Sequence, residues 1–155
     1  MKTVSDALLA HPFFAGLNED YVRLIAGCGE NTVFKPDQVI ATEGDDANEF
    51  YILRKGRVAI QIHAAPTGTA LLQTLDGGDI LGWSWLFPPY RWSTEAKAIQ
   101  QVHAIRLDGK CLRAKCDRDP AMGYELMKRF SQIMVQRLEA TRLRMLDLYG
   151  KAEHS

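Results

Sequence analysis

Hydrophobic and polar residues follow two kinds of pattern along this chain. In residues 4–10 and 18–26, apolar positions recur at helical spacing, and Thr3 or Ser5 and Asn18 are suitable N-caps. Between residues 32 and 107 the pattern changes to eight short apolar runs separated by Gly, Pro and Asp. These runs are 32–34, 38–41, 50–53, 57–63, 70–75, 80–81, 95–99 and 102–107. Short strands at such even spacing predict an antiparallel sandwich or rolled barrel.

Helical periodicity returns after Asp108, first in a short helix at 109–116 and then in a long one. Asp119 at the N-cap and Pro120 at the first helical position begin the long helix. It continues without Gly or Pro through 124–149 and is expected to end at Gly150, so it should be roughly 40 Å long. One small barrel cannot cover a helix of that length.

Apolar residues on the long helix recur with a seven-residue period, which is typical of two-helix packing. We therefore predict a homodimer through this helix, although an ordinary amphipathic helix on its own core would have a similar pattern. The expected interface residues are Met127, Phe130 (or its neighbour Ser131), Met134, Leu138, Thr141, Met145 and Leu148. Basic residues such as Arg137 alternate with acidic ones and are expected to be solvated.

Together these patterns predict an α+β fold in three parts. Residues 1–118 are expected to form the antiparallel sandwich or rolled barrel, with short N-terminal helices. Residues 119–150 form the long C-terminal dimerisation helix, and 151–155 form a tail. A chain of 155 residues that is 46% hydrophobic can bury one core of this size.

Composition excludes several function classes. Nineteen basic and nineteen acidic side chains cancel, so no broad positive field attracts nucleic acid or anionic lipid. We find no secretory signal and no membrane span, and expect a soluble, cytoplasmic protein. Cys28, Cys111 and Cys116 form no C-x-x-C pair and are expected to be free thiols. The four histidines are scattered, so neither a metal site nor a cofactor is predicted, and no enzyme activity is expected.

One segment is chemically unusual. All three tryptophans, Trp83, Trp85 and Trp92, lie within ten residues of one another, after the turn sequence Gly77-Gly78-Asp79-Ile80-Leu81-Gly82. Indole rings around a cavity can stack on a planar ligand or enclose an apolar one, with Ser84, Ser93 and Thr94 as polar contacts. They can also fill the cavity themselves.

Two motifs carry a resemblance to a known family. They are the run from Glu43-Gly44-Asp45 through Phe50-Tyr51-Ile52-Leu53 to the expected hairpin at Lys55-Gly56, and the Gly78-Asp79-Ile80-Leu81-Gly82 turn. With the entry segment Phe13 to Leu17 and the long helix, they resemble the cyclic nucleotide-binding domain of the catabolite activator (Crp/Fnr) superfamily. The resemblance covers nearly the whole chain. It implies that residues 1–118 form an antiparallel β-roll, a jelly-roll-like double-stranded β-helix, with a phosphate-binding cassette after the turn.

The resemblance also implies that this cassette is altered. The family glycine is matched by Gly82, but Trp83 stands where a ribose-binding Glu is expected, and Trp92 where a phosphate-binding Arg is expected. Arg91 is one position early and should point away from the pocket unless a bulge or a shorter turn corrects it. Thr141 matches a Thr that contacts the purine in the family, but it could equally be a spacer in the helix seam.

These observations predict a stand-alone regulatory or sensor module that does not bind cAMP in the usual way and signals through partner proteins. Two alternatives remain open: a ligand-free interaction and dimerisation platform, and a genuine cAMP- or cGMP-binding protein. Only six residues follow Tyr149, which leaves no room for a helix-turn-helix, so direct DNA binding is not expected.

Overall fold

The computed structural model describes residues 3–64 and 68–153, with side chains described up to residue 147 except for residue 64. Two short helices begin the chain, α1 at Val4–Leu9 and α2 at Glu19–Ala26. Thr3 forms a capping box with Asp6, and the Asn18 side chain accepts from the Asp20 amide, as the sequence predicts.

The connection between these helices is fixed by a buried histidine. His11 is only 7% exposed, and its Nε2 lies 3.2 Å from the carbonyl oxygen of Leu53. Its Nδ1 lies 3.2 Å from the amide nitrogen of Phe13. A carbonyl can only accept and an amide can only donate, so the imidazole is the neutral tautomer with its proton on Nε2.

Within the described ranges, eight strands form two four-stranded antiparallel sheets, which confirms the predicted β-roll. One sheet has the order β1-β8-β3-β6 and the other β2-β7-β4-β5. The strands are β1 Gly29–Phe34, β2 Val39–Ala41, β3 Glu49–Lys55, β4 Arg57–Ala64, β5 Gly68–Asp76, β6 Ile80–Leu81, β7 Glu95–Ala98 and β8 Val102–Asp108.

The hairpin that the sequence predicts at Lys55-Gly56 is wrong. β3 and β4 belong to different sheets, so the chain changes sheets at Gly56 instead of folding back on itself. Gly56 has φ +107°, and an added Cβ would overlap the carbonyl oxygen of Gln101. The glycine is therefore needed for a close crossing of two backbone segments.

Two helices complete the fold, α3 at Gly109–Arg118 and α4 at Pro120–Glu153. Asp119 caps α4 through the Met122 amide at 3.1 Å, as predicted. The backbone remains helical beyond Gly150, so the expected end at that residue is wrong. A glycine lowers helix stability by only about 1 kcal/mol, which does not force termination. The predicted tail at 151–155 thus begins inside the helix, and residues 154–155 lie outside the described part. Within the described residues, none of the helices has the length and apolar character required to span a membrane.

The core has two parts. One lies between the helices and the β3-containing sheet and includes Phe14, Phe50, Trp85 and Phe130, while the other lies between the two sheets. α4 reaches only the first part, through Met122, Leu126 and Phe130, all at most 1% exposed. Their four-residue spacing places them on one face of the helix.

The cysteine prediction is wrong for two of the three residues. Cys28, just before β1, is disulfide-bonded to Cys111 on α3, with a Cα–Cα distance of 5.7 Å, and only Cys116 is free. The two cysteines are 83 residues apart in sequence. They meet because β8 pairs with β1, which places the start of α3 beside the start of β1. The Asp108 amide donates to the Cys28 carbonyl at 2.9 Å at the same junction.

Candidate ligand pocket

A cavity of about 410 Å³ lies between the β4–β5 hairpin, the segment after β6 and one face of α4. Its walls are mainly apolar. Aliphatic side chains come from Ile60, Leu72, Leu81, Met134 and Leu138, and two indoles come from Trp83 and Trp92. The polar groups that line it are Gln73, Ser84, Ser93, Thr94, Arg137 and Thr141.

Trp92 forms one wall of the cavity through its contact with Gly82. Gly82 has φ +100°, and an added Cβ would lie 2.6 Å from Cη2 of Trp92, so the indole rests directly on the glycine. The Trp92 backbone is held on both sides, by an amide donating to the Asp45 carbonyl at 2.9 Å and a carbonyl accepting from Gly44 at 2.8 Å. This ring is therefore a fixed part of the pocket, and it leaves the cavity open.

Trp83 and Trp85 face different surroundings. Trp83 lines the cavity, and the Arg137 guanidinium lies 4.9 Å from its ring centroid. Trp85, expected at the ligand site, is instead fully buried and stacked on Phe50 with centroids 4.7 Å apart. The cause is the 3-10 turn at Ser84–Leu86, which turns this side chain into the core beneath α4. Trp85 thus stabilises the fold and does not line the cavity.

Arg91, which the sequence places one position before the expected phosphate-binding arginine, also lies outside the cavity. Its Nη1 donates to the Gly44 carbonyl at 2.9 Å and lies 3.5 Å from Oδ1 of Asp46. Its backbone forms an isolated bridge with Asp46, and its side chain is 57% exposed. The one-residue offset is thus not corrected by a bulge, and Trp92 takes the position that faces the pocket.

The remaining expected residues of the segment do meet at the cavity. Ser84, Ser93 and Thr94 line it, and Thr141 joins them from α4. The Thr141 hydroxyl donates to the Arg137 carbonyl at 2.9 Å, which leaves its oxygen lone pairs as acceptors. The turn at Ser84–Leu86 has only three residues and no side-chain cap, so it has too few aligned peptide dipoles to bind an anion well.

Arg137 is the residue that the sequence interpretation missed, because it was grouped with the solvated basic residues of the helix. Burial lowers the pKa of its guanidinium to about 10, against an opposing effect of the Asp79 charge. One Nη2 hydrogen bond goes to the carbonyl of Ile80, at the start of β6. The signal available in the sequence was its position one helical turn before Thr141, which places both on one face.

The chemistry of the cavity suits binding more than catalysis. Among the described residues, none of those lining it is Asp, Glu, His or Cys, so it offers no proton-transfer pair or nucleophile–base pair. No group of three or more potential metal ligands occurs in the described residues. A mostly apolar cavity with a few polar groups is typical of a small-molecule site.

The predicted dimer residues divide into two groups. Met127, Leu138, Thr141 and Met145 are exposed, while Met134 is half-buried at the cavity. Phe130 is fully buried beside Phe13, Phe50 and Trp85, so it belongs to the protomer's own core, and the exposed Ser131 is the seam candidate in its place. The Leu148 side chain lies outside the described residues.

Comparison with known proteins assigns the chain to a family. A family model for the cyclic nucleotide-binding domain matches residues 31–119, more than half of the chain. The chain therefore belongs to the cyclic nucleotide-binding domain family, which confirms the resemblance drawn from its motifs.

The chain is also similar to curated relatives in sequence and to solved structures in fold. Mycobacterium tuberculosis proteins named CRP-like cAMP-activated global transcriptional regulator are 26% identical over 145 residues, which cover 92% of this chain and 62% of theirs. This chain thus spans less than two thirds of these curated relatives. A cyclic nucleotide-binding domain from Methylobacillus flagellatus KT has a TM-score of 0.79 at 17% identity, covering 93% of this chain and 81% of that one. The Thermus thermophilus catabolite activator protein has 0.70 at 22%, covering 90% and 63%. These two share the fold.

Proposed function

We propose that this chain is a regulatory sensor domain whose pocket has exchanged the family's ionic contacts for aromatic ones. One observation supports the proposal: Trp83 and Trp92, which the motif resemblance aligns with an acid and an arginine of the family, both line an open cavity of about 410 Å³. The ligand is then held mainly by apolar and stacking contacts.

The proposal includes weak binding of cyclic nucleotides. Among the described residues that line the cavity, none has a carboxylate to accept from a ribose hydroxyl, and Arg91 is engaged with Gly44 and Asp46. Loss of two hydrogen bonds to charged groups costs about 3 to 6 kcal/mol. That corresponds to roughly two to four decades in the dissociation constant.

Output is proposed to run through α4, to a second copy of the chain and from there to partner proteins. Arg137, Leu138 and Thr141 line the cavity from α4, so a ligand in the pocket touches the helix directly. Exposed apolar residues of the predicted seam, Leu138 and Met145, supply a surface for pairing. The ligand can bias the helix position only by its difference in affinity for the two states.

The proposal retains the cytoplasmic setting expected from the sequence. Disulfides are rare in that compartment, so the oxidation state of Cys28 and Cys111 in cells is a direct check of it.

The decisive experiment is calorimetric titration of the purified chain with cAMP and cGMP, compared with the double variant Trp83→Glu/Trp92→Arg. The wild type should show no saturable binding in the micromolar range, and the variant should bind cAMP more tightly by decades. The pair Trp83→Gln/Trp92→Gln is the matched control, since it removes the same rings without adding charge. Micromolar cAMP binding by the wild type would reject the altered-cassette proposal.

Two other functions predict different results of these binding measurements. The relatives named as cAMP-activated favour a genuine cyclic nucleotide sensor, which tight wild-type binding would establish. The exposed apolar residues of α4 favour a ligand-free platform. A platform would dimerise normally but bind neither nucleotides nor any planar aromatic compound.

A further inference from the structure

Arg137 is the one charged residue among the described residues that line the cavity. It extends from α4, and its guanidinium lies against the Trp83 ring, 4.9 Å from the centroid. Its hydrogen bond goes to the Ile80 carbonyl, which is a neutral acceptor. No Asp or Glu oxygen of the described residues lies within the 4.0 Å ion-pair distance of it, in contrast to Arg57 and Arg106 in the sheets, each of which has a carboxylate partner.

This arrangement leaves a half-buried positive charge with no carboxylate in direct contact among the described residues, and the Asp79 charge acts on it only from a longer distance. A guanidinium has five N–H donors, of which Arg137 uses one in a described hydrogen bond. Burial lowers its pKa to about 10, so it still carries its charge at neutral pH. A desolvated cation is unfavourable unless an anion pairs with it. A ligand anion at this point would recover part of the lost solvation.

The surroundings of Arg137 restrict the rest of the ligand. The indole rings of Trp83 and Trp92 line the cavity, and aliphatic side chains such as Leu72 and Leu81 complete its walls. Stacking on indole favours planar rings, and a volume of about 410 Å³ accepts a ligand of one to three rings. A second ionic group would have no described partner there.

We infer that the pocket binds a planar, mostly apolar organic monoanion, of the aromatic carboxylate class, with its charge on Arg137. The inference rests on the proposed function, because it assumes that the cavity is a ligand site. It moves the anion-binding role from the cassette to α4. A ligand bound in this way contacts Trp83 with its ring and the long helix with its carboxylate, which makes Arg137 the link between occupancy and helix position.

Calorimetric titration of the whole chain with 2-naphthoate and with 2-naphthamide tests this inference. The two probes have nearly the same size and shape, but only the first is charged. We expect 2-naphthoate to bind roughly ten- to a hundred-fold more tightly, the range of one hydrogen bond between charged groups. Arg137→Met, which keeps an apolar stem, should abolish that preference. Arg142→Gln is the matched control, because Arg142 is exposed, lies on the same helix and already pairs with Glu139, and its preference should be unchanged.

Several results would overturn the inference. One is equal binding of both probes by the wild type, which would leave the cavity as an apolar ligand site and spare the proposed function. Another is an unchanged preference in Arg137→Met that melts as a folded protein. If that variant does not fold, Arg137→Lys keeps the charge and must keep the preference for 2-naphthoate. No binding of either probe at millimolar concentration would count against the proposed function as well.

Discussion

The Cys28–Cys111 bond should contribute strongly to stability, and its removal is the most direct test of the fold described here. The bond closes a loop with a sequence separation of 83 residues. The chain-entropy model for a loop of that length gives about 4.5 kcal/mol of destabilisation of the unfolded state. Measured effects of disulfides are usually smaller, so Cys28→Ser/Cys111→Ser should lose between about 2 and 4.5 kcal/mol. For a chain of this size that is a fall in melting temperature of about 4 to 18 °C.

The assay is urea unfolding of the oxidised wild type and the double variant, each with and without a phosphine reductant. Reductant should lower the wild-type midpoint to that of the variant and leave the variant unchanged. Cys116→Ser is the control, because this free and half-buried residue does not take part in the bond, so its midpoint should keep the same response to reductant. Three reactive thiols in the unfolded, unreduced wild type would refute the bond, and equal wild-type midpoints with and without reductant would refute the stabilisation.

Three further predictions concern other parts of the molecule. Burial lowers the pKa of His11 below its ordinary 6.5, so the unfolded chain takes up a proton more readily than the folded one. The His11 contribution to stability should therefore be complete above about pH 6.5 and decrease below it. His11→Gln should flatten this pH profile in thermal melts. Gly82→Ala should cost about 1–3 kcal/mol more than Gly44→Ala in urea unfolding, because both have positive φ but only the first has an indole against the added Cβ. Met145→Lys should yield monomers by light scattering, whereas Ala140→Lys, at an exposed position of the same helix outside the predicted seam, should remain dimeric.

Each of these predictions has a result that contradicts it. A melting profile in which wild type and His11→Gln lose stability equally on acidification would assign the effect to other groups. Equal costs at Gly82 and Gly44 would mean that the indole moves aside freely. An unchanged mass for Met145→Lys, or dissociation caused equally by Ala140→Lys, would reject the predicted seam.

Local signals in the sequence were sufficient for most of the architecture. Caps such as Thr3, Asn18 and Asp119 act within three residues of their position, so sequence spacing alone locates them. The alternation of short strands likewise reflects side chains facing two sides of a sheet, which is a property of consecutive residues. The two-sheet roll could therefore be predicted before its strand order was known.

Features that depend on three-dimensional proximity could not be predicted in the same way. The Cys28–Cys111 pairing requires the β1–β8 register, which no spacing in the sequence encodes. Neighbouring positions on a helix differ by about 100°, so the choice between Phe130 and Ser131 for the seam could not be made from the heptad pattern alone. Phe130 enters the core. Trp83 and Trp85 are only two positions apart, but the three-residue turn at Ser84–Leu86 places Trp85 in the core and leaves Trp83 at the cavity. The charge on Arg137 looked solvated because its desolvation comes from other segments.

The length of α4 has a mechanical consequence. Among the described residues, Phe130 is the last buried one on this helix, and the rod then rises about 35 Å to Glu153 at about 1.5 Å per residue. A tilt of about 5° around Phe130 would displace the far end by about 3 Å, roughly the rise of two helical residues. Sub-ångström adjustments among a few side chains would thus be magnified along a stiff lever, without any rearrangement of the sheets.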